Sequence, residues 1–132
     1  MADDRKSGEK VAIKKMALAK GVNNAATLVN EIQIMKICHH KNIVNYIDSY
    51  LVGGNCLWVA MEFMDGGDLT EVINICREDI NERQIAAVLR EVLHALHYLH
   101  TLPEPIIHRD IKSDNVLLGV DGRVKLSTFC LF

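Results

Sequence analysis

The chain has 132 residues, 49% of them hydrophobic and 24% charged, with a formal net charge of −2. That composition supports one ordinary domain with a buried core and excludes wholesale disorder. The near balance of charge gives no electrostatic reason to expect nucleic acid or an anionic membrane surface as partner.

No apolar stretch approaches the length needed to span a bilayer. The N-terminus, Met1 to Lys6, lacks the apolar run of a signal peptide, and Asp3-Asp4-Arg5-Lys6 reads as a solvated tail. Cys38, Cys56, Cys76 and Cys130 lie far apart with no Cys-x-x-Cys pair. They read as small core or surface thiols of a reducing, cytoplasmic compartment, not as a disulfide framework or a zinc site.

The first regular element is a short β-branched run, Val11-Ala12-Ile13-Lys14, which reads as a strand after a Ser7-Gly8 turn. A helix is expected from Asn24 to about Cys38, capped by Asn23 or Asn24. Leu28, Ile32 and Met35 recur on one of its faces, and Glu31, at the edge of that face, is able to point inward. Two strand-like runs follow, Ile43 to Leu51 and Cys56 to Met61, joined by Gly53-Gly54-Asn55 as an antiparallel hairpin. Asp65-Gly66-Gly67-Asp68 breaks the pattern and reads as a flexible connector, with a helix expected from Asp68 to about Cys76.

The strongest periodicity runs from Glu82 to Leu99. Asn81 with Gln84 resembles a capping box, and Ile85, Val88, Leu89, Val92, Leu93, Leu96 and Leu99 form an apolar face wide enough to need cover on more than one side. Pro103 ends that helix. A polar loop, His108 to Asn115, comes next, followed by two short strands, Val116 to Leu118 and Val124 to Leu126, turned at Asp121-Gly122. The order of elements predicts a two-lobed α+β protein divided at Gly66-Gly67.

Val-Ala-Ile-Lys on the first strand and His108-Arg109-Asp110-Ile111-Lys112-Ser113-Asp114-Asn115 in the loop resemble the eukaryotic protein kinase family. Asn42 to Tyr46, Asp48 to Gly53, Gln84 to Val88 and Ile107 to Leu118 are similar to the PAK group, serine/threonine kinases activated by Rho-type GTPases. The resemblance covers nearly the whole chain from Gly8 to Leu126.

It implies a partial protein-kinase fold, with an N-lobe part over about 8–62, a hinge at 63–67 and the start of a helical C-lobe over 68–132. It implies transfer of the ATP γ-phosphate to Ser/Thr hydroxyls of a protein substrate, with ATP and Mg²⁺ as cofactors. A Rho-type GTPase partner would act through regions outside these residues.

Phosphoryl transfer is mostly positioning and charge neutralisation. By the resemblance, Asp110 holds the attacking hydroxyl, Lys112 offsets developing negative charge, and Asn115 is an oxygen ligand for Mg²⁺. Lys14 grips the α- and β-phosphates and Glu31 fixes it. Met61 guards the back of the adenine pocket, and the backbone of Glu62 to Met64 hydrogen-bonds adenine. Ala12 and Leu117 are the apolar ceiling and floor. His108 is expected to support the loop backbone, not to act as a base. His94, His97 and His100 recur along one helix, but no acidic or cysteine ligand is near, so they read as solvated or packing residues.

The chain departs from the family pattern in three places. The ten residues before Val11 hold one glycine and no Gly-x-Gly-x-x-Gly, so the phosphates would lack their lid. Ser127-Thr128-Phe129-Cys130 stands where the family has Asp-Phe-Gly, placing neutral Thr128 at the position of a Mg²⁺-binding carboxylate. The sequence given ends at Phe132, before the family's activation segment and the helices that cover the 82–99 helix, so that helix is expected to show an exposed apolar face. The chain itself is therefore expected to be inactive or nearly so. The alternative is a catalytically dead, pseudokinase-like binding module or a non-functional fragment.

Overall fold

In the computed structural model, residues 1–3, 8–18, 22–76 and 79–127 are described, without the side chains of 22–28. They fall into two compact units, Met1–Cys38 with Asn45–Phe63, and His39–Val44 with Met64–Leu131. Residues 39–44 thus pack with the second unit, although they precede the hairpin of the first.

The first unit is a four-stranded sheet in the order β1 (Ala2–Asp3), β2 (Lys10–Ala17), β4 (Cys56–Glu62), β3 (Tyr46–Val52), with one helix. β1 (Ala2–Asp3) pairs antiparallel with β2 (Lys10–Ala17) in the register Ala2↔Val11 and Asp3↔Lys10. This corrects the reading of Asp3 as part of a solvated tail: its side chain is exposed, but its backbone is a sheet edge. Gly8, at φ 74, supplies a left-handed residue between the two strands. β2 is longer than the four-residue run of the sequence reading, because pairing with β4 (Cys56–Glu62) extends from Val11↔Glu62 to Ala17↔Cys56.

β3 (Tyr46–Val52) and β4 form the expected antiparallel hairpin, with Gly53 and Gly54 at φ 61 and 72 in the turn. β3 starts three residues later than the sequence suggests. Ile43 belongs to the second unit instead, fully buried and bridged in parallel to Leu126. Local β-branching could not reveal that its pairing partner lies 83 residues on.

α1 (Val22–Ile37) begins before the predicted start. Asn23 and Asn24 therefore lie inside its first turn and neither is the cap, a correction consistent with the tolerance of that turn for polar residues whose N–H groups lack intrahelical acceptors. Met35 is buried with Val11, Val59, Ala60 and Met61 in the core of this unit, and Cys38 is a buried core thiol.

The second unit is built on α3 (Glu82–His100). Its capping box is complete: Asn81 Oδ1 accepts from the Gln84 N–H and Gln84 Oε1 accepts from the Asn81 N–H. Thr101 closes the helix two residues before Pro103, its N–H and hydroxyl donating to carbonyls of the last turn. Val92, Ala95 and Leu99 of α3 are buried, and α3 packs on β6 (Val124–Leu126). Burying one such leucine contributes roughly 2–3 kcal/mol.

β6 pairs antiparallel with β5 (Val116–Leu118) around the predicted Asp121-Gly122 turn. α2 (Leu69–Cys76) starts where Asp68 Oδ1 accepts from the Glu71 N–H. The Gly66-Gly67 stretch is more than a connector. Gly66 N–H donates to Leu118 O, and Leu118 N–H donates to Gly67 O. A Cβ on Gly66 would sit 2.8 Å from the Leu118 carbonyl oxygen, so the backbone approach requires glycine. Among the described residues, no helix is long and apolar enough to cross a membrane.

Candidate active site

In the first unit, β2 carries Ala12 and Lys14 two positions apart, on the same side of the strand. Ala12 stands opposite Met61 in the sheet, and Met61 is buried. Glu31, on α1, is 4% exposed, so the inward orientation expected for it is present. Its Oε1 is buried with no hydrogen-bond partner among the described residues.

Burial pushes the Glu31 carboxyl above its usual value, and the charge of Lys14 pulls the other way. Burial likewise lowers Lys14, and the Glu31 charge raises it. The two are thus electrostatically coupled inside one unit, a strand lysine facing the field of a helix glutamate. Glu62 ends β4 with its own N–H already donated to Asn45 O at 2.9 Å. Its carboxylate accepts from Asn45 Nδ2 at 3.0 Å, a bracing contact that no local pattern signals. Met64, the other linker residue, is buried and belongs to the second unit.

In the second unit, the loop from His108 is closed by its own polar groups. Arg109 adopts φ 64, an uncommon left-handed conformation for a non-glycine residue that turns the chain sharply before Asp110. Buried His108 holds both sides of that bend. Its Nε2 donates to Ser127 O at 2.6 Å, and its Nδ1 accepts from the Asp110 N–H at 3.3 Å. His108 is thereby a backbone support, as the sequence suggested.

Asn115 Nδ2 donates at 2.8 Å both to the Asp110 carbonyl oxygen and to Asp110 Oδ2. Lys112 Nζ lies 3.1 Å from the same Oδ2. The hydrogen bond from Lys112, then that from Asn115, holds the Asp110 carboxyl below the usual aspartate range. Ser127 N–H donates to Asn115 O, so the loop is tied to the strand end at two points. Leu117, half-buried on β5, bridges to Asp68.

Asp110, Lys112 and Asn115 are therefore brought together, as are Lys14 and Glu31. The first cluster lies in the second unit and the other in the first. Thr128, Phe129 and Cys130, the altered Asp-Phe-Gly positions, lie outside the described residues. Among the described residues there is no group of three His, Cys, Asp or Glu side chains able to hold a metal ion.

Residues 1–131 match the protein kinase domain family. The chain belongs to that family. It is 52% identical over 130 residues to the serine/threonine-protein kinase pakC of Dictyostelium discoideum, covering 98% of this chain and 26% of that protein. It is 55% identical over 125 residues to pakB of the same organism, covering 94% of this chain and 14% of that one. Serine/threonine-protein kinase PAK 5 of Rattus norvegicus is 50% identical over 129 residues, with 98% of this chain and 17% of that protein covered. The chain thus spans about a quarter or less of the length of these relatives.

Protein kinase domains generally use ATP and Mg²⁺. Sequence reading of this kinase domain chain missed two supporting residues, Asn42 and Asn45, whose partners lie 49 and 17 residues away. No periodicity signals such pairs; each is an isolated amide whose role depends on the tertiary fold.

Proposed function

We propose that the chain carries the site of a PAK-like serine/threonine protein kinase, which transfers the ATP γ-phosphate to Ser/Thr hydroxyls of a protein substrate. The observation that carries this reading is the state of Asp110. It is oriented by Asn115 and Lys112 and held ionised, as a residue must be that accepts and positions a hydroxyl.

The donor set fits a nucleotide with a metal ion in part. Asn115 commits its amide nitrogen to Asp110, which leaves Oδ1 as a hard oxygen suited to Mg²⁺. Lys14 would hold the α- and β-phosphates and Glu31 would keep that ammonium in place. Ala12, Met61, Glu62, Met64 and Leu117 would line the adenine site, where the Glu62 carbonyl and the Met64 backbone offer the hydrogen bonds. Mg-ATP would supply the phosphoryl group and neutralise its developing charge. Lys112 would add a cation near the transferred group, and Asp110 would hold the attacking hydroxyl and take its proton. The domain reading, an N-lobe part over about 8–62, a hinge at 63–67 and the start of a C-lobe over 68–132, belongs to the same proposal, as do a cytoplasmic location and a Rho-type GTPase acting through regions outside these residues.

Of the departures from the family pattern, Thr128 is the one that a single substitution can restore. A hydroxyl replaces a charged Mg²⁺ ligand, a loss of several kcal/mol, or about a thousandfold or more in rate. The test is phosphotransfer from Mg-ATP to a basic Ser/Thr protein, with Thr128→Asp and Asp110→Asn variants. The expected result is little turnover by the natural sequence, a gain of about a thousandfold in Thr128→Asp, and loss of that gain when Asp110→Asn is added. Thr128→Asp turnover that survives Asp110→Asn would overturn the assignment of Asp110.

A further inference from the structure

The loop that carries Asp110, Lys112 and Asn115 is held firmly at its two ends and lightly in its middle. At the ends, His108 Nε2 donates to Ser127 O, and the Ser127 N–H donates to Asn115 O. Between them the chain crosses exposed Ile111 and Lys112 and enters the 3₁₀ turn Ser113–Asn115, to which Lys112 gives no side-chain cap. The bonds from Lys112 and Asn115 to Asp110 stay inside the loop, so they brace it without fixing it to another element.

One side chain reaches this middle from elsewhere in the second unit. Thr70 Oγ1 donates to Ser113 Oγ at 2.7 Å, across 43 residues of sequence. Among the described residues it makes the one side-chain hydrogen bond that joins Lys112–Asn115 to another element. Both hydroxyls are half-buried. A threonine hydroxyl in a helix can bond to nearby backbone; this one is given to the loop.

Thr70 is itself well anchored. It lies in the first turn of α2, whose start is capped by Asp68. At that start Gly67 O accepts from the Leu118 N–H, and Asp68 bridges to Leu117. β5 begins at Val116, directly after the turn. The Thr70–Ser113 bond therefore closes a small ring, from α2 through the turn and β5 back to Gly67. A β-branched threonine has few rotamers to lose, which suits a fixed strut. Ser113 stands one residue after Lys112 and two before Asn115, so a shift of the turn moves both groups that orient Asp110.

We propose that Thr70 is a positioning residue for the reaction at Asp110: through Ser113 it fixes the turn that carries Lys112 and Asn115. The inference rests on the phosphotransfer reading for its catalytic meaning, but the setting of Asp110 is measurable without turnover.

The test compares Thr70→Val, which keeps the shape and removes the hydroxyl, with Thr70→Ser, which keeps the hydroxyl. Ser113→Ala breaks the same bond from its other side. Carboxyl ¹³C titration of Asp110 by NMR is read on the whole chain, and kcat for phosphotransfer is read with Thr128→Asp added. Thr70→Val, Ser113→Ala and the double variant should each move the Asp110 titration toward 3.8 by the same amount. Each should lower kcat about ten- to a hundredfold. Thr70→Ser should titrate and turn over like the natural residue.

Thermal melts by circular dichroism show whether each variant is folded, and Ser113→Ala decides the matter if Thr70→Val is not. An unchanged Asp110 titration in a folded variant would reduce the bond to a merely structural one and overturn the proposal. So would Thr70→Ser as impaired as Thr70→Val, which would assign the effect to packing of the methyl group. Additive shifts in the double variant would mean that the two hydroxyls act separately, and would overturn it as well. Absence of turnover in Thr128→Asp would count against the phosphotransfer reading alone, since the titration still decides the role of Thr70.

Discussion

Asn115 clamps Asp110 with one nitrogen, donating at 2.8 Å to its backbone carbonyl and at 2.8 Å to its carboxylate. The same carboxylate oxygen takes Lys112. Removing either partner should let the Asp110 carboxyl rise toward its ordinary value of 3.8, and Lys112→Met should raise it further than Asn115→Ala, because the lysine is the larger influence. Carboxyl ¹³C titration followed by NMR measures both. A larger effect of Asn115→Ala would show that the amide, not the ammonium, sets the charge of this residue. Asn115→Ala should also cost about 1 kcal/mol of stability for the lost hydrogen bonds.

Lys14 and Glu31 oppose each other's desolvation. Burial raises Glu31 and lowers Lys14, and each charge works against the shift of the other. In Lys14→Met the buried carboxylate loses that support, so its pKa should climb further above 4.5. A carboxyl whose folded pKa is raised contributes stability that is fully present below its unfolded value and lost as pH rises through the folded one. Lys14→Met should therefore be less stable than the natural chain at neutral pH, by about 1–3 kcal/mol given the half-buried lysine. Its deficit should shrink toward pH 4. Urea unfolding at the two pH values checks it, and a pH-independent deficit would mean that packing of the lysine stem is the whole effect.

Gly66 is placed by its contact with β5, not by a special φ. A methyl group there would meet the Leu118 carbonyl oxygen at 2.8 Å, against backbone that is itself hydrogen-bonded to Gly66 and Gly67. Gly66→Ala should destabilise the second unit by about 1–3 kcal/mol. Gly54→Ala is the useful comparison, since open space surrounds that position and only its φ of 72 opposes the change. Its cost should be about 1 kcal/mol. Equal costs would mean that the β5 contact yields without strain.

The elements most legible in the sequence were those encoded by neighbours a few residues apart. Asn81 with Gln84, the Gly53-Gly54 turn and the Asp121-Gly122 turn each specify their local geometry, and each is present. The kinase family was legible too, because strand lysine, helix glutamate and loop motif occur in order. What escaped was decided at long range. Ala2 and Asp3 have no β pattern of their own and become a strand only against Val11 and Lys10. Ile43 reads as the start of β3 but is held by Leu126. Within the candidate site, the types and spacing of Asp110, Lys112 and Asn115 were readable. That one amide nitrogen would grip Asp110 twice was not, since this depends on the Arg109 bend at φ 64.

Asn42 and Glu91 are the clearest case of a long-range pair with a measurable consequence. Asn42, almost fully buried, donates from Nδ2 to Glu91 Oε2 and to Val124 O, each at 2.9 Å, and so joins the 39–44 segment to α3 and β6. The hydrogen bond from Asn42 is the main influence that lowers the Glu91 carboxyl from 4.5 to about 2, with Arg90, Lys41 and His94 assisting. A folded pKa below the unfolded one means that the unfolded chain binds more protons in the interval. The stability Glu91 contributes is therefore fully present above pH 4.5 and is lost as pH falls toward 2. Asn42→Ala should destabilise the second unit at pH 7 by about 1–3 kcal/mol, through the lost buried hydrogen bonds and the Val124 carbonyl left unsatisfied. It should also flatten the acid limb, so that natural and variant chains converge in stability between pH 4.5 and 2. Urea midpoints measured across that interval decide it, and parallel curves would assign the lowered Glu91 value to Arg90 and Lys41 instead.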